Sequence, residues 1–192
     1  MNNLIDVVCS FLLGGIVIAL LQGLMVNMTS TAGEQTFETI VQSNLTTAAD
    51  MVTSDFRRMG YGAPGAADSA ILYADPQKIV FQGDLDNDGI FPDSLSYMLG
   101  DVRPAANTNP RTRYLFRRWR NQPPQPLNLG LTKFTLTYYD GAGNELPAVP
   151  RVAAPGSIRS VRIGIVVESI SPWNGRVASA SWEQVLKPLN LR

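Results

Sequence analysis

Histidine is absent from all 192 residues. That removes the commonest general base, the commonest metal ligand and the usual partner of a nucleophilic Ser or Cys. There is one cysteine, Cys9, so no disulfide can form within the chain. It lies in an apolar stretch, where a thiol is ordinarily inert. Excess charge of either sign is also missing: 16 basic residues balance 16 acidic ones, so nothing global calls for a nucleic-acid or acidic-polymer partner. The opening Met1-Asn2-Asn3 carries no Lys or Arg, unlike the basic start of a secretory signal.

What the chain does have is one long apolar run, Leu4 to Met28, in which Asp6 is the only charge before Glu34. About 20 residues at 1.5 Å each cross the hydrocarbon of a bilayer. The length of the run and its flanks favour a retained anchor over a cleaved signal. Asp6 is costly in such a segment and calls for a partner. A free N-terminal ammonium, on this chain or a neighbour, is the nearest candidate. Capping of the first helical turn at headgroup depth is the alternative, and the two are compatible. Gly15, Ala19 and Gly23 recur every four residues, a spacing that lets helices approach closely.

Beyond the run, Phe37, Ile40, Val41, Leu45, Ala48, Met51 or Val52, Phe56 and Met59 recur at three- and four-residue spacing. Glu34, Glu38, Gln42, Asp50 and Asp55 fall largely on other faces. This predicts an amphipathic helix that continues the apolar one. It runs from about residue 4 to about 60, loosened or bent at Gly23 or Gly33, and stops at the Gly60–Gly65 cluster. The remainder reads as strands separated by turns. The strands are Ala70–Tyr73, Lys78–Gln82, Ser94–Leu99, Arg113–Trp119, Leu129–Tyr139, Ile158–Ser169 and Ser181–Leu186. Phe134, Leu136 and Tyr138 alternate with Thr135 and Thr137, and Val161, Ile163, Ile165 and Val167 with Arg162, Gly164 and Val166. Asp140–Asn144 is a turn; Pro123–Pro126 and Pro147–Pro155 are loops. The expected fold is α+β: a long N-terminal helix packed on a mainly antiparallel sheet. Residues 1–28 form the membrane or filament-core helix, 29–62 its amphipathic continuation, and 63–192 the β-rich head.

This arrangement resembles the type IV pilins and the pseudopilins of type II secretion. Asn3-Leu4-Ile5-Asp6 before the apolar run is similar to the Thr-Leu-Ile-Glu that opens mature chains of the family. Asp55-Phe56-Arg57-Arg58-Met59-Gly60-Tyr61-Gly62 resembles the helix end of larger minor pilins and J-type minor pseudopilins. Leu131–Gly143 and Ile158–Ile163 resemble the same group's later strands. The chain departs from the pattern in having Asp for Glu, no aromatic first residue and no C-terminal disulfide; no basic leader ending in Gly precedes Asn3, so either a leader was already removed or Met1 is the true start.

The resemblance implies that Asp6 pairs with the N-terminal amine of a neighbouring subunit and so sets register. It implies partners that are copies of this chain or other pilin-like subunits, with inner-membrane assembly machinery and lipid before assembly. The expected location is the bacterial inner membrane, then a surface filament, or the periplasm if the filament is a pseudopilus.

Two motifs lie outside that frame. Asp84-Leu85-Asp86-Asn87-Asp88-Gly89-Ile90 has carboxylates at alternate positions before a turn glycine. This is the first half of a calcium loop, with the Ile90 carbonyl as the next ligand. Leu95 stands where the bidentate Glu belongs, and Asp93 could replace it; an ordinary acidic turn is the other reading. No cofactor is required, and calcium is the one candidate. Arg111, Arg113, Arg117, Arg118 and Arg120 crowd a segment with Tyr114, Phe116 and Trp119. A solvated strand face or a subunit contact suits them better than DNA, so no nucleic acid is expected.

The leading function is a filament subunit. A non-polymerising anchored binding domain is the second reading. An anchored enzyme using a carboxylate pair such as Asp84 and Asp88 is the third, with no supporting constellation around it.

Overall fold

The computed structural model describes residues 2–63, 70–89, 91–101 and 109–191. Helix α1 spans Asn2–Arg57 without a break through any of its glycines, about 84 Å at 1.5 Å per residue. The expected loosening at Gly23 or Gly33 is therefore not seen in the backbone. The helix stops three residues before Gly60 and gives way to tight turns through Gly62. Gly60 takes φ +70° and donates its N–H to Gln82 O at 2.8 Å. Glycine alone adopts that left-handed conformation freely, which ends the helix and ties it to the sheet.

Eight strands follow: β1 Ile71–Ala74, β2 Lys78–Gly83, β3 Asp93–Leu99, β4 Arg113–Trp119, β5 Gln125–Tyr139, β6 Glu145–Leu146, β7 Ser160–Glu168 and β8 Ser179–Leu186. They form one antiparallel sheet in the order β1-β2-β3-β4-β5-β7-β8, with β6 paired to β5. The 15-residue β5 is the spine. Its first part pairs with β4 and its second with β7, and Leu131 faces Arg113 on one side and Val167 on the other. β5 begins at Gln125, inside the segment expected to be a Pro-rich loop. There it has one named neighbour, an edge-like setting that tolerates Pro126.

Alternation along the strands decides the core. Ile79, Phe81, Leu95, Tyr97, Leu115, Phe134, Leu136, Tyr138, Val161, Ile163, Ile165 and Val167 line the inner face. Against them α1 buries Val41, Leu45, Ala48, Val52 and Phe56. The Phe56 ring meets Phe81 edge-on at 5.4 Å and Tyr97 at 5.8 Å. Burying each such side chain contributes about 1.5–3 kcal/mol, so the amphipathic half of α1 is a full member of the head's core. Two residues expected on that apolar stripe differ: Ile40 is 48% exposed, and Phe37 packs outside the sheet, on Trp173.

Candidate functional site

From Ile5 to Met28 every side chain of α1 is exposed. Fifteen large apolar residues, from Ile5 through Phe11 and Leu20 to Met28, contribute to that surface. At about 1.5–3 kcal/mol each, leaving them in water would cost on the order of 20–40 kcal/mol. Lipid or other helices covering this segment would recover that free energy. The segment is compatible with a transmembrane helix: an apolar window of mean hydropathy 2.3 lies within it, none of it buried by the head.

Asp6 is exposed within this stretch, and its backbone carbonyl accepts the Ser10 hydroxyl at 2.8 Å. Gly15 and Gly23 stand in open space, where a Cβ would meet no atom within 4 Å. Asp6 and Gly15 are nine residues apart, two and a half turns, so they lie on opposite sides of the helix. The assembly residues expected from sequence thus divide between two faces, with Gly15, Ala19 and Gly23 on one and Asp6 on the other.

The helix is tied to the head at two levels. The upper tie is a half-buried carboxylate from α1 set against the sheet. Asp55 accepts the Tyr97 hydroxyl at 2.5 Å and two Arg117 bonds, from Nε at 2.8 Å and Nη2 at 3.2 Å. The bond to Asp55 raises the Arg117 guanidinium above its ordinary range, against the opposing effect of burial. Burial first, and then the Asp55 charge, push the Tyr97 phenol far up, so it stays a neutral donor.

The lower tie is a turn between β7 and β8. Trp173 and Arg176 exchange backbone bonds of 2.8 Å. Asn174 and Gly175 between them have φ 49° and 75°, the signature of a two-residue hairpin turn. The turn lays the Trp173 ring on the helix backbone at Gly33, where a Cβ would stand 2.5 Å from Trp173 Cζ2. Phe37 flanks the ring at 5.7 Å, Asn174 Nδ2 donates to Ser30 Oγ at 3.1 Å, and Arg176 lies 3.8 Å from Glu34. Neither tie was anticipated from sequence. The Asn174-Gly175 dipeptide was the available signal for the second; nothing local marks the first.

The acidic segment after β2 forms a loop closed by an arginine. Asp84 accepts the N–H groups of Asp88 and Gly89 at 3.1 and 3.0 Å, and Asp93 that of Leu85 at 3.2 Å. Carboxylate oxygens of Asp84, Asp86 and Asp93 lie within 4.8 Å of one another. Arg120 reaches across them: Nε to Asp93 at 2.5 Å, Nη2 to Asp86 at 2.9 Å and to Asp88 at 3.8 Å. Burial would raise the Asp93 carboxyl, but Arg120 and the Leu85 and Asp86 N–H groups hold it below its usual value. A divalent cation here would share these carboxylates with Arg120 or displace it. Ile90, the expected carbonyl ligand, lies outside the described residues.

The five arginines do not form one patch. Arg117 points inward to Asp55 and Arg120 to the acidic loop. Arg111 pairs with Glu168 at 2.9 Å, where Asn109 also donates. Arg113 caps the carbonyls of Pro110 and Thr112. Arg118 lies exposed on the outer face, its Nε on Gln122 O at 3.2 Å. Arg111 and Arg113 line a shallow groove of about 480 Å³ with Lys133, Asp101 and Glu168, a lining of mixed sign.

Set beside known proteins, the chain matches no family model, no curated protein and no solved structure.

Proposed function

We propose that this chain is a structural subunit of a type IV pilus-like filament, assembled through its N-terminal helix. One observation carries the reading: a fully exposed apolar helix with an acid at its start continues, unbroken, into a half that is built into the head's core. Such a helix can leave lipid and enter a bundle of its own kind while its head stays folded. Its apolar surface remains covered in both settings, and Asp6 needs a partner in both. Before assembly the subunit sits in the inner membrane; afterwards it belongs to a surface filament, or to a periplasmic one if the system is a secretion pseudopilus. The role is structural, not catalytic. Arg111 and Arg118, the most outward of the arginines, are the ones placed to meet a neighbouring subunit, and calcium at the Asp84–Asp93 loop would stiffen the head without taking part in chemistry.

The test is Asp6→Ala, expressed in place of the wild type. Immunogold electron microscopy of sheared surface material and of osmotically released periplasm reads the filament. The expected outcome is normal membrane insertion with no filaments. Wild-type protein that stays dispersed in the membrane, indifferent to Asp6→Ala, would instead establish a non-polymerising anchored domain.

A further inference from the structure

We propose that the β7–β8 turn, Pro172 to Arg176, is a foot that rests in the phospholipid headgroup layer while the subunit is anchored. The inference builds on the reading of residues 5–28 as the membrane segment. The apolar run ends at Met28. Asn174 touches Ser30 and Trp173 covers Gly33, two and five residues further on, or about 3 and 7.5 Å along the axis. The headgroup region extends about 5–8 Å beyond the hydrocarbon on each side. The turn is therefore held at headgroup depth by the covalent path of the helix, before any affinity of its own is considered.

The residues suit that depth. Tryptophan is enriched at the membrane–water boundary, where an apolar ring meets polar groups. Trp173 lies against α1, while Pro172, Asn174, Gly175 and Arg176 around it are exposed. The Arg176 side chain is 85% exposed and only loosely held by Glu34, a long cationic stem able to reach a lipid phosphate. Trp173 and Arg176 are fixed relative to each other by their two mutual backbone bonds; the Trp173 indole N–H is buried against the helix with no partner among the described residues, so the ring braces the turn on α1 and Arg176 is the group the turn offers to headgroups. Arg176 and Glu34 offset each other and Glu38 lies nearby. The foot therefore has no excess positive charge, and its contact is with phospholipid headgroups in general, not with anionic lipid alone.

The test uses the full chain in phosphatidylcholine nanodiscs. Trp119→Phe with Trp182→Phe leaves Trp173 as the sole tryptophan, excited selectively over the tyrosines at the red edge of the absorption band; a second variant keeps only Trp119. Trp119 stacks on Arg117, which is bonded to Asp55, and Asp55 lies 27 residues past Met28, about 40 Å away. A headgroup spin label is expected to quench Trp173 at least twofold more than it quenches Trp119, and more than a mid-chain label does. Equal quenching of the two tryptophans in discs that retain the protein overturns the foot and leaves the anchor standing. So does a Trp173 signal shielded only after assembly into filaments, which would assign the turn to a second copy. Failure to co-elute with discs overturns both. Should the tryptophan variants unfold by circular dichroism, Cys9→Ser with Arg176→Cys, carrying a fluorophore at position 176, gives the same reading without touching Trp119 or Trp182.

Discussion

Replacing Asp55 with alanine removes the carboxylate that joins α1 to the sheet. It deletes one bond from Tyr97 and two from Arg117. The Tyr97 ring is fully buried, and the Arg117 side chain is 22% exposed, so neither recovers full hydration. Breaking a buried, hydrogen-bonded ion pair costs about 3–5 kcal/mol; partial solvent access at Arg117 lowers the expectation to roughly 2–4 kcal/mol. For a chain of this size each kcal/mol moves Tm by about 2–4 °C, so thermal unfolding in detergent micelles, followed by tryptophan fluorescence, shifts down by roughly 4–16 °C. Arg117→Ala is expected to cost a similar amount, and the double variant much less than the sum, because the two act as one unit. Asp55→Leu with Arg117→Leu, which leaves no orphaned charge, recovers most of the loss. Glu183→Ala is the control: its pair with Arg162 is 3.6 Å long and exposed on both sides, worth under about 1 kcal/mol. An Asp55→Ala loss no larger than that of Glu183→Ala refutes the argument.

Three other outcomes are expected. Alkali destabilises the head: the Tyr97 and Tyr138 phenols are raised by burial. Above about pH 10, where free tyrosine ionises, the native state holds more protons than the unfolded one, and stability, full below that pH, falls as pH rises. Urea midpoints at pH 8 and 11 measure this, and Tyr97→Phe flattens the decline. Arg120→Gln takes the Arg120 cation from Asp86 and Asp93, so the variant is less stable in chelator and gains more from millimolar calcium than the wild type does; no calcium-dependent recovery by calorimetry removes the loop as a calcium site. Gly33→Ala forces the Trp173 ring off the helix, because the new Cβ would stand 2.5 Å from it. Trp173 fluorescence then shifts to the red and becomes more accessible to iodide, while Tm changes little, since alanine returns about 1 kcal/mol of helix propensity.

Much of the architecture was legible along the chain because its signals are local and periodic. The apolar run, the three-and-four spacing from Val41 to Phe56, and the alternation through Phe134–Tyr138 and Val161–Val167 report directly on which face is buried. The strand content of Pro126 and the short β6 were not legible, because each depends on a neighbour: Phe116 opposite Pro126, Tyr138 opposite Leu146. The candidate sites divide in the same way. The acidic alternation from Asp84 to Asp88 was visible, but the cation lying on it comes from Arg120, more than 30 residues away. The arginine cluster looked like one surface because its members are close in sequence; strand pleating turned Arg117 inward and Arg118 outward.

The sequence by itself determined that this chain has a helix too apolar for water, an acid placed early within it, and a head with one buried sheet face. Those follow from composition and period, which need no partner to be read. Tertiary structure alone decided how helix and head are joined, through Asp55 on Arg117 and Tyr97 and through Trp173 on Gly33. Each pairing links residues dozens to well over a hundred positions apart, and no local preference encodes a distance that only folding closes.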